Sequence, residues 1–430
     1  MDETNNKNGF IKGLATGVAC ALLIGLIGFF IYASGLDFPK KDAQMKPTAV
    51  PSQGAEATGT PKPGNNLFSS VTDEELLAKL REIRNWLDNN SLYGATDETM
   101  VDSVYAGLMY SLGDAYAAYY NKEDMDAMME ETEGTYCGIG TLVTQNVYTG
   151  VISIVRPFKD GPAYKAGMKK DDIILLVDNI DVSTMELSEV VKLMKGEPKT
   201  PVDITVQRGE EQLVLHVIRD YVEVETVEYE MLENNVGYVR VTEFDDVTVE
   251  QFKKAIAELE KQNMTSLVID LRDNPGGLVN SAVKMVDRII STGVVVYTED
   301  KDKSKSCEYA TTAQHLDVPI ALLVNENSAS ASEIFSGALR DYEKAILVGT
   351  NTYGKGIVQV ITYLNDGSGI KFTISEYFTP KGIAVHGIGL KPDFEVELPE
   401  EVRNLSDIPR DKDTQLQKAV EELKKKTEKK

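Results

Sequence analysis

The strongest constraint on the fold is a regular alternation of apolar strands and amphipathic helices between residues 236 and 350. In chain order the segments read "VGYVRVTEF", "VEQFKKAIAELEKQ", "SLVIDLR", "GLVNSAVKMVDRIIS", "VPIALLVN", "SEIFSGALRDY" and "AILVGT". Strands that alternate with helices predict a largely parallel sheet covered by helices. In open sheets of this kind the active crevice lies beyond the carboxyl ends of the strands, so the residues after each strand are the first candidates for chemistry.

Three of these strands lead into unusual loops. "LVIDLR" leads into "DNPGGL", "IALLVN" into "ENSASASE", and "AILVGT" into "NTYGKGIVQV". Gly276 and Gly277 let the backbone approach a ligand closely, although a tight turn is the better explanation of the glycines taken alone. Ser328 and Ser330 precede a helix, and taken alone they are better explained as helix caps than as a nucleophile. The start of a helix also offers free N–H groups, which can stabilise an oxyanion.

The third loop supplies a candidate general base. The chain has only three histidines, and none follows a strand of this unit. Lys355 does, between Gly354 and Gly356, and in extended backbone Lys355, Ile357 and Gln359 would share a face. A lysine is a base only when neutral, which is about 0.04% of molecules at pH 7 with an ordinary pKa near ~10.4. Burial in a site that excludes water can lower the pKa of a lysine to about 7–8. A lone "GKG" would indicate a surface lysine, but three unusual strand ends together favour a catalytic one.

Several blocks of the sequence resemble the carboxy-terminal processing proteases, also called tail-specific proteases. The blocks are "YCGIGTLV", "GPAYKAGMKKDDIILLVDN", "LVIDLRDNPGGL", "LVNENSASASEIFSGALRD", "GTNTYGKGIVQ" and "YFTPKGIAVHGIGLKPD". The resemblance extends from about Leu67 to the end of the chain. It implies a serine endopeptidase with a Ser–Lys dyad, in which Ser330 is the nucleophile, Lys355 is the base and Gln359 supports the lysine.

The same resemblance implies an oxyanion hole beside the nucleophile. One N–H group would come from Ala331, which follows Ser330. The other would come from a glycine of the N-x-G-G turn, which we assign to Gly276, with Gly277 as the alternative. Ser328 and Ser332 are then left for capping and packing.

The β-rich segment 134–224 resembles a PDZ domain, a module that binds a free C-terminus by adding it as a strand. The loop that would hold the terminal carboxylate consists of Gly138, Ile139 and Gly140. The groove would be lined by Leu187, Val190 and Val191 of the helix "ELSEVVKLMKG". Cys137 stands where the family commonly has glycine, and Lys195 where an arginine is common. The resemblance implies that the basic residue at position 195 couples the PDZ domain to the protease. Lysine lacks the planar, bidentate group of arginine, so it would make this coupling differently.

The N-terminal segment predicts a membrane anchor. Residues 13–36, "GLATGVACALLIGLIGFFIYASGL", carry no charged residue. As a helix they would span roughly 36 Å, enough to cross a hydrocarbon core of about 30 Å. The run is longer than the apolar part of a signal peptide, about 7–15 residues. We expect an uncleaved signal anchor, with cleavage near Ala33 as the alternative. A lipidated Cys20 is disfavoured because the apolar run continues past it.

The flanking charges do not decide the orientation of this anchor. Lysines lie on both sides of it, at positions 7 and 12 and at positions 40, 41 and 46. Long domains are translocated largely regardless of charge. Partly from the family resemblance, we expect a single-pass protein of the cell membrane with the catalytic part outside the cytoplasm.

The remaining chain divides into segments of distinct composition. A short tail (1–12) precedes the anchor, and a Pro-rich linker (37–66) follows it. A helical region (67–133), whose first helix would be capped by Ser70 or Thr72, precedes the PDZ-like segment. The α/β protease core (225–400) and a C-terminal helix with a charged tail (401–430) complete the chain. The predicted fold class is α+β multidomain, with a largely parallel sheet in the core.

The net charge and the few histidines and cysteines indicate which partners and cofactors to expect. A formal net charge of −23 argues against nucleic acid as a partner. The histidines show no metal-ligand spacing. Cys137 and Cys307 are interpreted as free thiols, with one bridge between them as the alternative. We expect no metal and no organic cofactor.

The interpretation is a membrane-anchored serine endopeptidase that recognises exposed C-terminal tails of protein substrates. The helical region and the C-terminal helix resemble parts by which some family members dimerise, so a homodimer is expected. One alternative is a catalytically silent PDZ scaffold that binds protein C-termini. A second alternative is an acyl-transferring or hydrolytic enzyme that acts on small molecules. The PDZ-like segment disfavours it, because a small substrate does not need a groove that binds peptide tails. A Ser–His–Asp protease is disfavoured by the lack of a G-x-S-x-G block.

Overall fold

The computed structural model describes residues 70–311, 315–403, 405 and 408–428. The predicted anchor at 13–36 and the linker at 37–66 lie outside these residues. Within the described part of the chain, no helix is both long and apolar enough to cross a membrane.

The described helices and strands follow in chain order. The helices are α1 (Asp73–Asn90), α2 (Asp97–Tyr110), α3 (Lys122–Glu133), α4 (Pro162–Lys165), α5 (Leu187–Met194), α6 (Asp246–Lys261), α7 (Val279–Asp287), α8 (Ala331–Asp341) and α9 (Thr414–Thr427). The strands are β1 (Ala118–Tyr120), β2 (Thr135–Gly138), β3 (Thr141–Gln145), β4 (Ile152–Pro157), β5 (Ile173–Val177), β6 (Ile180–Asp181), β7 (Pro201–Arg208), β8 (Glu211–Ile218), β9 (Asp220–Glu223), β10 (Val227–Leu232), β11 (Val236–Val241), β12 (Ser266–Asp270), β13 (Gly293–Asp300), β14 (Lys305–Ala310), β15 (Ile320–Val324), β16 (Ala345–Gly349), β17 (Ile357–Tyr363), β18 (Gly369–Phe378) and β19 (Phe394–Glu395).

The central sheet has the strand order β10-β11-β12-β15-β16-β19. Only β10 is antiparallel to its neighbour, and the other pairs are parallel. Every residue of β12 and β15 is buried, as expected for inner strands that are covered on both faces. The prediction of a largely parallel sheet is confirmed.

Helices cover both faces of the central sheet. On one face α6, α7 and α8 contribute Phe252, Met285 and Phe335 to the largest apolar core of the described residues. On the other face Leu416 and Leu423 of α9 pack against the sheet. Full burial of a leucine contributes about 1.5–3 kcal/mol, so the C-terminal helix is an integral layer of the protease core.

An antiparallel sheet, β1-β18-β13-β14 with β17 paired to β18, lies beside the central one. Its strand β1 belongs to the predicted helical region, and Ala118 of β1 pairs with Lys371 of β18. The helical region is thereby joined to the protease core next to the segment that carries Lys355.

The PDZ-like segment forms its own sheet, β3-β4-β5-β7-β8, with β6 paired to β5. All pairs are antiparallel, and α5 packs on the core of this sheet through Val190 and Met194. A turn at Gly209 joins β7 to β8, with a φ of 61° that favours glycine. Strands β2 and β9 pair with each other, so the two ends of the segment lie side by side.

Helix α1 begins at the predicted cap residue Thr72, but its apolar side chains are not buried. Thr72 accepts a hydrogen bond from the N–H of Glu75, and the Glu75 carboxylate accepts one from the N–H of Thr72, a reciprocal capping box. No residue of α1 is buried. Trp86 is 67% exposed and Leu87 56% exposed, so the apolar stripe of this helix is uncovered by the described residues.

Candidate active site

The three predicted loops meet at the carboxyl edge of the central sheet. The N–H of Ala329 donates to Asn274 O at 3.1 Å, which joins the loop after β15 to the loop after β12. The N–H of Tyr353 donates to Ser328 O at 3.0 Å, which joins it to the loop after β16. The three loops meet at one edge because parallel neighbouring strands place their carboxyl ends on the same side of the sheet.

Ser330 occupies the sharp turn between β15 and α8. Its backbone has φ 54° and ψ −114°, a region that residues other than glycine rarely adopt and that costs about 1–3 kcal/mol. A strained serine between a strand and a helix is the geometry of a nucleophile elbow. The residue is buried, with 8% of its surface exposed.

The two neighbouring serines have structural roles, as predicted. Ser328 Oγ donates to Leu271 O at 2.7 Å, and Ser332 Oγ donates to Asn274 O at 3.0 Å. Both hydroxyls are fully buried. They tie the serine loop to the loop after β12 and leave Ser330 as the serine at the turn itself.

Glu333 connects the start of α8 to the lysine loop. Its carboxylate accepts hydrogen bonds from the N–H of Ser330 at 3.0 Å and from the N–H of Lys355 at 2.9 Å. It also accepts from the Thr352 hydroxyl at 2.5 Å and from the N–H of Gly354 at 2.8 Å. Burial raises the pKa of Glu333, and these four hydrogen bonds oppose the rise. The segments that carry the serine and the lysine are therefore held by one buried side chain.

Lys355 is buried and its charged form is disfavoured. The residue is 5% exposed, and burial together with the charge of Lys371 lowers the pKa of Lys355 to about 8. Glu333 and Asp114 oppose this shift. The flanking glycines permit this close packing, since a Cβ on Gly354 or Gly356 would collide with the backbone of residues 386–389.

The amine of Lys355 lies against an aromatic ring rather than on the serine. Lys355 Nζ is 4.5 Å from the centroid of the Tyr116 ring. Among the hydrogen bonds of the described residues, none joins Lys355 Nζ to Ser330 Oγ. The described contacts connect the two residues through Glu333, whose carboxylate accepts hydrogen bonds from the N–H groups of both.

Gln359 is buried near Thr373, but it does not share a face with Lys355 and Ile357 in the way that was expected. Strict alternation with Lys355 and Ile357 does not hold, because Lys355 precedes β17 and the register shifts between Val358 and Gln359. Gln359 is 3% exposed, and its Nε2 donates to Thr373 Oγ1 at 3.2 Å. Its predicted support of Lys355 stays a prediction.

The candidate oxyanion donors lie beside the serine. A Cβ on Gly276 would come within 2.8 Å of Ser330 Cβ and 2.9 Å of Ala331 N, so only glycine fits there. The N–H of Gly276 donates to Asn274 Oδ1 at 2.9 Å, which occupies that donor in this structure. For the N–H groups of Ala331 and Gly277 the described residues provide no hydrogen-bond acceptor, so these two are available to a ligand.

The predicted tail-binding loop lies at the end of β2. Gly140 has φ 72°, and the carbonyl of Ile139 accepts from the N–H of Ala163 at 2.7 Å. The ring of Tyr136 packs against Gly138. The expected groove residues lie on α5, where Leu187 and Val191 are partly buried and Val190 is fully buried in the PDZ core. Val190 therefore packs beneath the groove in this structure instead of lining its open surface.

Lys195 contacts the helical region. Its Nζ lies 2.6 Å from Glu130 Oε2 at the end of α3 and 5.3 Å from the centroid of the Tyr136 ring. The same ring packs against Gly138 of the tail-binding loop. A coupling between the PDZ domain and the protease through Lys195 stays a prediction, and its route would run through α3.

The other candidate groups do not enter this site. None of the three histidines hydrogen-bonds to Ser330 within the described residues, and His216 pairs with Asp203 in the PDZ-like sheet at 2.6 Å. Cys137 and Cys307 are free thiols, as interpreted. In the part of the chain that the structure describes, no group of acidic, histidine and cysteine side chains has the arrangement of a metal site.

Sequence reasoning missed several residues of the site. Asp114 and Tyr116 come from the helical region, and Lys371 and Thr373 come from β18. Glu333, in the first turn of α8, was not identified as a residue of the site either. A charged residue that follows a serine cap by three positions is a capping-box signal, and it could have identified Glu333.

Two domain families match the chain. Peptidase family S41 matches residues 235–396, and the PDZ domain matches residues 154–208. The first match contains all three loops described above, and the second contains most of the PDZ-like sheet.

Proteins of similar sequence are serine proteases by name. A probable CtpA-like serine protease of Staphylococcus epidermidis is 36% identical over 340 residues, which cover 78% of this chain and 68% of that protein. A protein of the same name from Staphylococcus aureus is 34% identical over 344 residues, which cover 79% of this chain and 68% of that protein. Among solved structures, a photosystem II D1 C-terminal processing protease aligns with a TM-score of 0.44 at 28% identity, over 75% of this chain and 88% of that one.

Proposed function

Since this chain belongs to peptidase family S41 and is a carboxy-terminal processing serine protease with a PDZ domain, we propose that it cleaves proteins with a Ser330–Lys355 dyad. It recognises its substrates by their exposed C-terminal tails. The observation that carries the dyad is a single carboxylate, Glu333, which binds the N–H groups of both Ser330 and Lys355.

The chemistry proceeds by acyl transfer. Lys355, as the neutral amine, takes the proton of Ser330 Oγ while that oxygen attacks the peptide carbonyl. The N–H of Ala331, with that of Gly277 or Gly276, stabilises the negative oxygen that forms. The ammonium of Lys355 then protonates the leaving amine, and a water molecule hydrolyses the acyl-enzyme with the lysine again as base.

A buried lysine supports catalysis over the alternative of a silent scaffold. Burying an unpaired charge is costly, so proteins rarely retain a buried lysine for stability alone. Lys355 has no ion pair within the described residues, and its pKa is lowered to about 8. A scaffold that only binds tails gains nothing from such a group or from a strained serine beside it.

The remaining features concern location and assembly. Residues 13–36 anchor the chain in the cell membrane as a single span, and the catalytic part lies outside the cytoplasm. The uncharged sequence of this segment supports the anchor. The uncovered apolar stripe of α1 supports a homodimer.

Replacement of Lys355 by arginine tests the dyad. Arginine keeps the positive charge but does not deprotonate in proteins, so Lys355→Arg should lose about 10²–10⁴-fold in kcat/KM, the usual contribution of a general base. In the wild-type enzyme, kcat/KM should rise with pH through about 8, because Lys355 must lose its proton. Lys254→Arg, at an exposed lysine of α6, is the matched control. A folded Lys355→Arg variant with near wild-type turnover would exclude the dyad.

A further inference from the structure

A second buried lysine lies in the candidate active site. Lys371 of β18 is 2% exposed, and its Nζ is 5.4 Å from the centroid of the Tyr120 ring. Within the described residues, its amine has neither a hydrogen bond nor an ion pair. A lysine buried in this way resists carrying its charge, so its presence needs an explanation beyond packing.

Lys371 and Lys355 lie against the same short segment. Tyr116 contacts Lys355, and Tyr120, four residues later, contacts Lys371. Asp114 anchors this segment to β18, because its Oδ2 accepts from the N–H of Thr373 at 2.8 Å. Its Oδ1 accepts from the N–H of Tyr116 at 2.9 Å. Segment 114–120 therefore brings both amines to one side of β18.

The strand pairing places Lys371 on the face that carries Gln359. Gln359 of β17 pairs with Thr373, and Ile361 pairs with Lys371. Residues two apart in a strand share a face, so Lys371 and Thr373 point the same way. The Gln359 side chain donates to Thr373, so Gln359, Thr373 and Lys371 lie on the same face of β17 and β18.

The charges around the two amines are unequal. Glu333 of α8 and Asp114 favour the charged form of Lys355, while Lys371 disfavours it. Glu131 of α3 and Asp114 favour the charged form of Lys371. The pKa of each lysine is lowered to about 8, in both cases mainly by burial. The positive charge of Lys371 opposes the protonation of Lys355, because two like charges that lie close together repel each other.

We propose that Lys371 is a positioning residue whose positive charge, added to the effect of burial, favours the neutral form of Lys355 that activates Ser330. A neighbouring cation is a known way to make a lysine amine reactive at neutral pH. This inference rests on the proposed role of Lys355 as the general base. No hydrogen bond of the described residues joins Lys371 to Ser330, so the proposed effect of Lys371 is exerted through Lys355.

The test compares pH profiles of the full-length enzyme and of two variants. Lys371→Met keeps an unbranched, buried side chain and removes the charge. The limb of kcat/KM that rises near pH 8 should move about half a unit to one unit higher, which lowers activity at pH 7 about threefold to tenfold. Activity above pH 9 should recover. Lys371→Arg retains a charge and should keep the wild-type limb, and Lys254→Met is the control for loss of an exposed lysine.

A second measurement follows the protonation of the Lys355 amine in an inactive enzyme. In a Ser330→Ala background, the rate at which acetic anhydride acetylates Lys355 is followed by mass spectrometry as a function of pH. Adding Lys371→Met should raise the midpoint of this titration by the same amount as the kinetic limb. An unchanged midpoint overturns the inference, and so does an activity loss that is equal at every pH, which would indicate a structural role only. If Lys355→Arg stayed active, the proposed dyad would fail, while the acetylation midpoint would still decide what Lys371 does to Lys355.

Discussion

At the scale of single residues, the site depends on a carboxylate that does no chemistry itself. Glu333 fixes the serine turn and the lysine loop with four hydrogen bonds, two of which go to the backbone of Ser330 and Lys355. Hydrogen bonds to a charged acceptor contribute about 1.5–3 kcal/mol each. Such a set can hold a serine at φ 54°, because the bonds offset the strain of that backbone.

Replacement of Glu333 by glutamine should therefore impair both fold and catalysis. The amide has nearly the same shape, but its NH₂ group would face N–H donors and leave at least one unsatisfied, at a cost of about 1–3 kcal/mol. We expect kcat to fall about tenfold to a hundredfold with little change in KM, together with a lower Tm. Glu326→Gln is the matched control, because Glu326 joins the same two loops at the surface through Thr350. Equal kinetics for the two variants would contradict this role.

The residues predicted from sequence are those that short motifs mark. Ser330 and Lys355 stand in blocks with unusual composition, and the structure brings their segments together. Asp114, Tyr116 and Lys371 could not be found in this way, because each becomes part of the site only when β1 pairs with β18. No local pattern reports a contact between segments so far apart in the chain.

At the scale of elements, the periodic patterns predicted most helices and strands of the central sheet. The antiparallel sheet with β13, β14, β17 and β18 was not predicted, since strand pairing depends on neighbours that the sequence does not name. The same limitation explains the bulge before Gln359. A one-residue shift in a strand changes the face to which a side chain points.

The tail-binding loop at the end of β2 leads to a prediction about substrates. If its N–H groups hold a terminal carboxylate, the hydrogen bonds are charge-assisted and about twice as strong as neutral ones. Amidation of the substrate C-terminus removes that charge and should cost about 1–3 kcal/mol, a loss of about tenfold to a hundredfold in apparent affinity. Cleavage of one unfolded reporter is measured with a free apolar tail, an amidated tail and a tail ending in two aspartates.

We expect rapid cleavage of the first reporter and slow cleavage of the other two. The partly buried Leu187 and Val191 favour an apolar final residue over an acidic one. A short peptide that lacks a PDZ-binding tail serves as the control for intrinsic turnover, which should not depend on amidation. Equal rates for the three reporters would exclude selection by the tail, even if Ser330 and Lys355 prove catalytic.

At the scale of the whole molecule, the anchor prediction can be tested in intact cells. The uncharged segment 13–36 would hold the protease outside the cytoplasm on the linker 37–66. Protease added to cells whose outer layers admit it should degrade the C-terminal domain, as detected by an antibody against that domain. A cytoplasmic protein blotted from the same samples is the control for lysis. Complete protection of the C-terminal domain would place it in the cytoplasm.

The exposed apolar stripe of helix α1 bears on the oligomeric state of the protein. An amphipathic helix is stable when its apolar stripe is covered, yet no residue of α1 is buried by the described part of the chain. Leu76, Ile83 and Leu87 lie on one stripe and are 50%, 48% and 56% exposed. We expect the same stripe of a second copy to cover them.

The prediction is that the detergent-solubilised full-length chain sediments as a dimer. The double variant Ile83→Glu and Leu87→Glu places two charges on the stripe, and burial of unpaired charge is costly, so the dimer should dissociate at least about a hundredfold more readily. Asn85→Glu adds a charge on the opposite side of α1 and should leave the dimer intact. The melting of the protease core should be unchanged in both, because α1 contributes nothing to that core. A monomeric wild-type chain, or equal dissociation of the two variants, would show that something other than a second copy covers α1.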